Sequence, residues 1–560
     1  MPRKRRDREF RGQIEINKRV FDQFVKKHER FEYYKREWDY RDESTDALNI
    51  PVRRFTADEM KNLVKIMGSS LPRPTGMISQ IQAHIDVIEN PKGRSVGTLV
   101  VLESAITSYV KKNIIEGWIF VQNEETHTME PYLVESVIYH PTQILERGHT
   151  IPAHVDLSCV RWDSREDGER NKIFTWHASD IGKSVDLILL DKAIHHETQE
   201  MIDNYYEQEK TFLEWRKQMG TQFLGNGKKT FSYIDDDHWR NSYDAEMNNT
   251  RLVIDDEADA IERHRGTGLF QDYEDEDAPS IDPEAAEKYT RLPLAHYIDM
   301  FNLDSHRNGY VHIDHMKPYV YKPEIRKHLI LPPEHEDLID ALTADMDVLM
   351  EDIVSGKGGG TTIICQGPSG TGKTLTAEVY AEVVKRPLYR IHSGQLGIEA
   401  AGVEKELKEA MERAKRWGAV MLIDEADVFV MKRGASLELN AVCSVFLRTL
   451  EYYDGLCFLT TNRMDEIDDA ILSRCIAHIT FKGPNEAERA KLWKSLGEVF
   501  DLKLTKVTKS NVNLQLAKQF PKATGRDIKG LIRLAIKYAR QRKRQVTFDD
   551  LKRFAPYKGL

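Results

Sequence analysis

The sequence predicts an α/β protein: a parallel sheet carrying a phosphate-binding loop, closed by C-terminal helices and preceded by a mixed α+β region and an acidic linker. Three observations predict it. Gly367-Pro368-Ser369-Gly370-Thr371-Gly372-Lys373-Thr374 fits G-x-x-x-x-G-K-[ST], follows the β-branched run Ile363-Ile364-Cys365 and opens a helical pattern. Ala419-Val420-Met421-Leu422-Ile423 is a continuous apolar run ending in Asp424-Glu425, which suits a buried parallel strand with acids at its C-terminal end. Leu456-Cys457-Phe458-Leu459 is another such run and ends in Thr460-Thr461-Asn462.

The loop residues suit one task. Glycines let the backbone wrap so that successive N–H groups face a phosphate. The helix that follows offers its positive end to the same anion. Lys373 adds a point charge for the β- and γ-phosphates, and the Thr374 hydroxyl suits Mg²⁺. The nucleotide-binding stretch runs from Gly367 through Leu375. Asp424 is the second candidate ligand for Mg²⁺, through water, and Glu425 the candidate base for the attacking water. Adjacent residues of a strand point to opposite sides, so the two acids can divide metal work from base work.

Along the chain, residues 15–45 are rich in charge and aromatics and predict a charged helix with an apolar stripe. Residues 56–90 predict two helices split by Pro72-Arg73-Pro74. The segments 96–109, 117–121, 132–139, 153–161 and 173–177 predict strands, and 197–219 a long helix. Together, residues 1–220 form a mixed α+β recognition region. Residues 221–290 hold Asp235-Asp236-Asp237, Asp255-Asp256-Glu257 and Glu274-Asp275-Glu276-Asp277, and predict a partly disordered acidic linker. Residues 291–337 are a connector with a strand near 310–313. The sheet domain then spans 338–482, opening with a helix marked by Leu338, Leu342, Met346, Leu349 and Ile353, and a helical segment fills 483–560.

Composition sets limits. A chain of 560 residues holds several domains, and its formal net charge of −9 argues against a protein coated in nucleic acid. Five cysteines without C-x-x-C spacing read as buried small hydrophobes in a reducing compartment. No apolar run approaches 18 residues and no secretory signal opens the chain, so an intracellular, soluble protein without membrane insertion is expected. The basic stretches 3–6 and 537–544 read as solvated. His195-His196 and the pair His312 and His315 lack a second ligand pair at zinc spacing.

The second half of the nucleotide region completes a pattern. Thr460-Thr461-Asn462-Arg463 is followed by Asp469-Ala470-Ile471-Leu472-Ser473-Arg474-Cys475, and Ala523-Thr524-Gly525-Arg526-Asp527-Ile528 opens a later helix. Residues 338–555 resemble an AAA+ ATPase, most nearly the AAA subgroup. Residues 310–482 are also similar to fungal AAA-domain proteins with an uncharacterised N-terminal region, notably in Gly356-Lys357-Gly358-Gly359-Gly360-Thr361 and His392-Ser393-Gly394-Gln395-Leu396-Gly397. The resemblance implies a large domain with a helical lid. It makes 367–374 the Walker A loop and 420–425 the Walker B strand. Asn462 falls on the sensor that holds the attacking water, Arg474 on the finger that enters a neighbour's site, and Arg526 on the lid's γ-phosphate sensor. It implies a homo-oligomeric ring, commonly a hexamer, that couples Mg-ATP hydrolysis to remodelling of a protein client.

Three departures keep other readings open. This chain has one arginine in the finger stretch, and its Ser-Arg-Cys resembles replication clamp loaders. Arg526 replaces the small residue common in the AAA subgroup. Residues 397–404 lack the aromatic that threading relatives use to grip a polypeptide. A nucleic-acid-linked ATPase and a nucleotide-gated assembly scaffold are therefore the alternatives.

Overall fold

The computed structural model describes residues 13–40, 47–70, 74–90, 92–123, 128–144, 150–163, 168–234, 240–256, 265–266, 268–269, 283–344, 360–397, 399–433, 437–464, 466–502, 504 and 512–560. They form two compact units: residues 1–215 with 258–297, and residues 216–257 with 298–560.

In the first unit, helices Lys18–Val25, Glu32–Tyr40, Ala57–Gly68 and Thr75–Glu89 surround an aromatic core of Phe21, Phe24, Phe31, Trp38 and Phe55. Beside this core lies a five-stranded antiparallel sheet in the order 168–177, 154–163, 129–140, 118–122, 194–196. The expected strand at 96–109 is instead the helix Leu99–Lys111. Its β-branched content suggested a strand, but Thr98 caps the N-terminus by accepting from the Val101 N–H, 3.3 Å away. Leu99, Leu102, Ala105, Ile106 and Val110 then recur at helical spacing and pack against the sheet. The long helix spans Gln199–Arg216.

The second unit corrects the linker reading. Strands Gln222–Ile234 and Arg240–Ile254 form a long hairpin within a five-stranded antiparallel sheet that also contains Tyr297–Asn302, Arg307–His312 and Met316–Pro318. Pairing satisfies the backbone, and Phe223, Met247, Leu252, Val253 and Ile254 supply the buried side chains that the acidic composition concealed. The acidic runs 235–237 and 274–277 lie outside the described residues, as do 345–359, where Met346, Leu349 and Ile353 were expected to continue the helix now seen at Pro333–Ala344.

The parallel-sheet region follows in the same unit. Its strands are β1 (Thr361–Gln366), β2 (Leu388–His392), β3 (Val420–Asp424), β4 (Leu456–Thr461) and β5 (Ala477–Thr480). All pairings are parallel, in the order β2-β3-β4-β1-β5. Helix α1 (Lys373–Val383) lies on one face, while α2 (Ala400–Arg416) and α3 (Leu437–Glu451) lie on the other. The central strands β1, β3 and β4 are buried on both sides, hence their unbroken apolar runs, whereas the edge strands β2 and β5 alternate. The order turns at β1, which leaves a crevice at the C-terminal strand ends beside the loop.

Among the described residues, four α-helices follow the sheet: α4 (Glu486–Val499), α5 (Val512–Gln519), α6 (Gly525–Gln541) and α7 (Phe548–Phe554). They share a core of Trp493, Leu516, Phe520, Ile528, Leu531, Ile532 and Leu551. Among the described residues no helix is long and apolar enough to cross a membrane. All five cysteines are free thiols.

Candidate functional site

The loop between β1 and α1 is shaped by close backbone approach. A Cβ on Gly367 would stand 2.2 Å from the Phe481 carbonyl oxygen, so only glycine fits there. Gly372 is the N-cap of α1 at φ 108° with no side-chain acceptor, and the first-turn N–H groups of that helix face outward without intrahelical partners.

Lys373 points into the ring that these residues make. Its ammonium donates to the carbonyl oxygens of Gly367 (2.8 Å) and Pro368 (2.9 Å) and to Asn462 Oδ1 (2.9 Å). Burial lowers its pKa below the ordinary lysine value, against the opposing pull of Asp424 and Asp427. A buried ammonium resting on carbonyl oxygens and a side-chain amide, beside a helix N-terminus, is the donor set a polyphosphate fits.

Asp424 ends β3 under three donors. Thr374 Oγ1 donates at 2.9 Å and Thr460 Oγ1 at 2.5 Å, and the Arg390 guanidinium forms an ion pair with its other oxygen. Burial alone would raise this carboxyl. The hydrogen bonds from Thr460, Arg390 and Thr374 outweigh it and hold the pKa below the ordinary value. Thr374 and Asp424 thus bring a hydroxyl and a carboxylate oxygen together, the hard-oxygen chemistry that Mg²⁺ takes.

Glu425 follows at φ 56°, a left-handed conformation that a non-glycine residue adopts at a cost. The turn swings its side chain off the strand line into solvent, and its N–H donates to Thr460 Oγ1 at 3.1 Å. Thr460 therefore ties both acids together. Asn462 is set by Asp427, which accepts from the Asn462 N–H at 3.0 Å and from the Thr461 hydroxyl.

Arg526 comes from the first turn of α6, whose N-cap Thr524 makes a capping box with Asp527. Its guanidinium donates to Ser369 Oγ at 2.7 Å. A Cβ on Gly370 would meet Thr524 Oγ1 at 2.7 Å, so the α6 N-terminus sits directly on the loop. Thr371 closes the turn by donating to the Pro368 carbonyl at 2.9 Å, and Leu375 stands 45% exposed on the first turn of α1.

The fold therefore brings Lys373, Thr374, Asp424, Asn462 and Arg526 around one loop. Arg474 is held elsewhere: it is exposed and donates to Glu451 Oε2 and to the Ala470 carbonyl, each at 3.1 Å. Sequence reasoning missed Arg390, Asp427 and the pairing role of Thr460. Arg390 carried a signal, being a cation in the middle of a strand whose neighbours Tyr389 and Ile391 are buried. Nothing local marked it as a partner of Asp424, 34 residues away.

Residues 363–482 match the model of the ATPase family associated with various cellular activities (AAA). The 26S proteasome regulatory subunit 8 of Caenorhabditis elegans is 29% identical over 245 residues, covering 40% of this chain and 54% of that protein. The ATP-dependent zinc metalloprotease FtsH 1 of Petrotoga mobilis is 30% identical over 214 residues, covering 34% of this chain and 30% of that protein. The chain thus spans about half or less of the length of these relatives.

Proposed function

We propose that this chain, whose residues 363–482 belong to the AAA+ ATPase superfamily, hydrolyses Mg-ATP and couples the turnover to remodelling of a protein client or complex. One observation carries the reading. Lys373, Thr374, Asp424 and Asn462, from three separate segments of chain, meet through direct hydrogen bonds at one helix N-terminus.

Each residue then has a task. The 367–375 backbone and Lys373 hold the triphosphate. Thr374 and Asp424 hold Mg²⁺, which neutralises charge on the phosphate oxygens when bound. Glu425 takes the proton of the attacking water, and Asn462 orients that water. Arg526 links the helices that bear it to the loop through Ser369. Arg474 completes the site of a neighbouring copy in a homo-oligomeric ring; its exposure and its place outside its own loop's contacts support action across subunits. The first unit, residues 1–215 with 258–297, is the candidate client-binding part. The proteasomal and protease names of the relatives favour a protein client over nucleic acid. The Arg526–Ser369 contact keeps the clamp-loader-like reading as the second choice, and the absence of an aromatic in 397–404 keeps the scaffold as the third.

Lys373→Ala abolishes nucleotide binding if the loop is the site. Mixing Arg474→Ala protein with Lys373→Ala protein restores turnover if the arginine acts in a neighbour's site. Retained binding in the first variant sinks the site assignment. Strong stimulation of ATPase rate by single- or double-stranded DNA would move the client assignment to nucleic acid.

A further inference from the structure

A second chemistry-bearing cluster lies in the first unit, on the sheet made by strands Met129–His140, His154–Asp163 and Gly168–His177. In the antiparallel register His140 stands opposite His154, and His154 stands opposite His177. Opposed residues share a face, as do residues two apart on one strand. His140, His154, His177 and Asp156 therefore all project from the same side.

The atoms converge. Asp156 Oδ2 lies 3.6 Å from His140 Nε2 and 3.8 Å from His154 Nε2, and one ligand atom from each of the three residues lies within 4.8 Å of the others. The His140 and His154 rings are stacked with centroids 4.8 Å apart. All three residues are half-buried, so an ion reaching them keeps access to solvent.

Second contacts hold two of the three as ligands are held. His154 Nδ1 lies 2.9 Å from the Pro152 carbonyl, which can only accept, so Nδ1 carries the proton and Nε2 presents a lone pair. Thr175 Oγ1 donates to Asp156 Oδ1 at 2.6 Å and leaves Oδ2 turned toward the imidazoles. A carbonyl behind a histidine and a hydroxyl behind a carboxylate are the outer contacts that orient metal ligands.

We propose that His140, His154 and Asp156 bind a divalent transition-metal ion of the Zn²⁺ class, leaving one coordination position open. Two imidazoles and a carboxylate are the donor set of such ions rather than of Mg²⁺ or Ca²⁺, which prefer oxygen alone. Ligands about 2.0–2.2 Å from a tetrahedral ion stand roughly 3.3 Å apart. Rotamer adjustments of an ångström or so at the widest pair close the site. The exposed His177 lies beside His154 on the same face, with ring centroids 5.9 Å apart and the planes tilted by 54°. The site is independent of the nucleotide loop.

The test uses the full-length chain, free of any histidine tag, stripped with EDTA and without nucleotide. Titration with Co²⁺ followed by visible absorption is expected to give one high-affinity ion per chain, displaced by Zn²⁺. His154→Ala and Asp156→Asn should each weaken that binding by at least tenfold, Thr175→Val by about tenfold, while Asp424→Asn leaves it unchanged. In the unmutated protein, Zn²⁺ should shield His140 and His154 from diethyl pyrocarbonate, read by mass spectrometry; this measurement needs no variant to fold. The proposal is overturned by the absence of saturable Co²⁺ binding, by wild-type affinity in both His154→Ala and Asp156→Asn, or by unshielded histidines in the presence of Zn²⁺.

Discussion

Arg390→Met tests how the proposed nucleotide site is balanced before Mg²⁺ binds. Arg390 reaches from β2 to the Asp424 carboxylate and also stands 3.4 Å from Glu378. It occupies the carboxylate that the proposed mechanism assigns to the metal, so ion and guanidinium compete for Asp424. Two unit charges about 4 Å apart interact by about 4 kcal/mol at an effective dielectric near 20. The Arg390 side chain is 37% exposed, so solvent screens the pair; exposed pairs contribute about 0–1 kcal/mol. An intermediate value of about 1–2 kcal/mol corresponds to roughly 5–30-fold in an equilibrium constant. The assay is ADP affinity, by fluorescence of a labelled nucleotide, in EDTA and in excess Mg²⁺. Removing the guanidinium should widen the ratio of the two dissociation constants by that 5–30-fold, with Arg390→Lys between the variant and the wild type. An unchanged or narrowed ratio refutes the competition.

Three further outcomes are expected. Glu425→Gln should keep nucleotide affinity while turnover falls by about 10²–10⁴-fold; wild-type turnover would remove Glu425 as the base. Arg526→Ala loses its hydrogen bond to Ser369 and should weaken ATP binding by a few-fold, about 1 kcal/mol, with a smaller change for ADP; equal effects on both nucleotides would deny it a γ-phosphate role. Burial lowers the His84 pKa to about 4, below the ordinary value near 6.5. The unfolded chain then takes up this proton first as pH falls, so the stability tied to neutral His84 is complete above pH 6.5 and declines toward pH 4, by about 3 kcal/mol in all. Hydrogen exchange in the helix Thr75–Glu89 should accelerate across that window, and His84→Gln should flatten the dependence; an identical slope in the variant contradicts it.

The nucleotide region was legible because its signals are local. A parallel strand buried on both faces writes itself as an apolar run, and a phosphate loop needs its glycines, lysine and hydroxyl within eight residues. The helix Leu99–Lys111 was misread because Val100, Val101 and Ile106 favour strands, while the packing of Leu99, Leu102, Ala105, Ile106 and Val110 at helical spacing against the sheet selects the helix. The hairpin within the expected acidic linker was hidden for a related reason: the partners of Gln222–Ile234 within the hairpin are up to 31 residues away, its other neighbour Met316–Pro318 is farther still, and pairing supplies the backbone hydrogen bonds that composition does not report.

By itself the sequence determined the α/β class of the nucleotide region, the loop from Gly367 to Leu375, and the acids Asp424 and Glu425 at a strand end. Those features follow from short-range periodicity and spacing. The tertiary structure alone decided that Arg390 engages Asp424, that Asp427 sets Asn462, that Arg526 reaches Ser369, and that His140, His154 and Asp156 share one sheet face. Each of these brings together groups from separate segments of the chain, and only the register of the strands and the packing of helices on them fixes which segments come within reach.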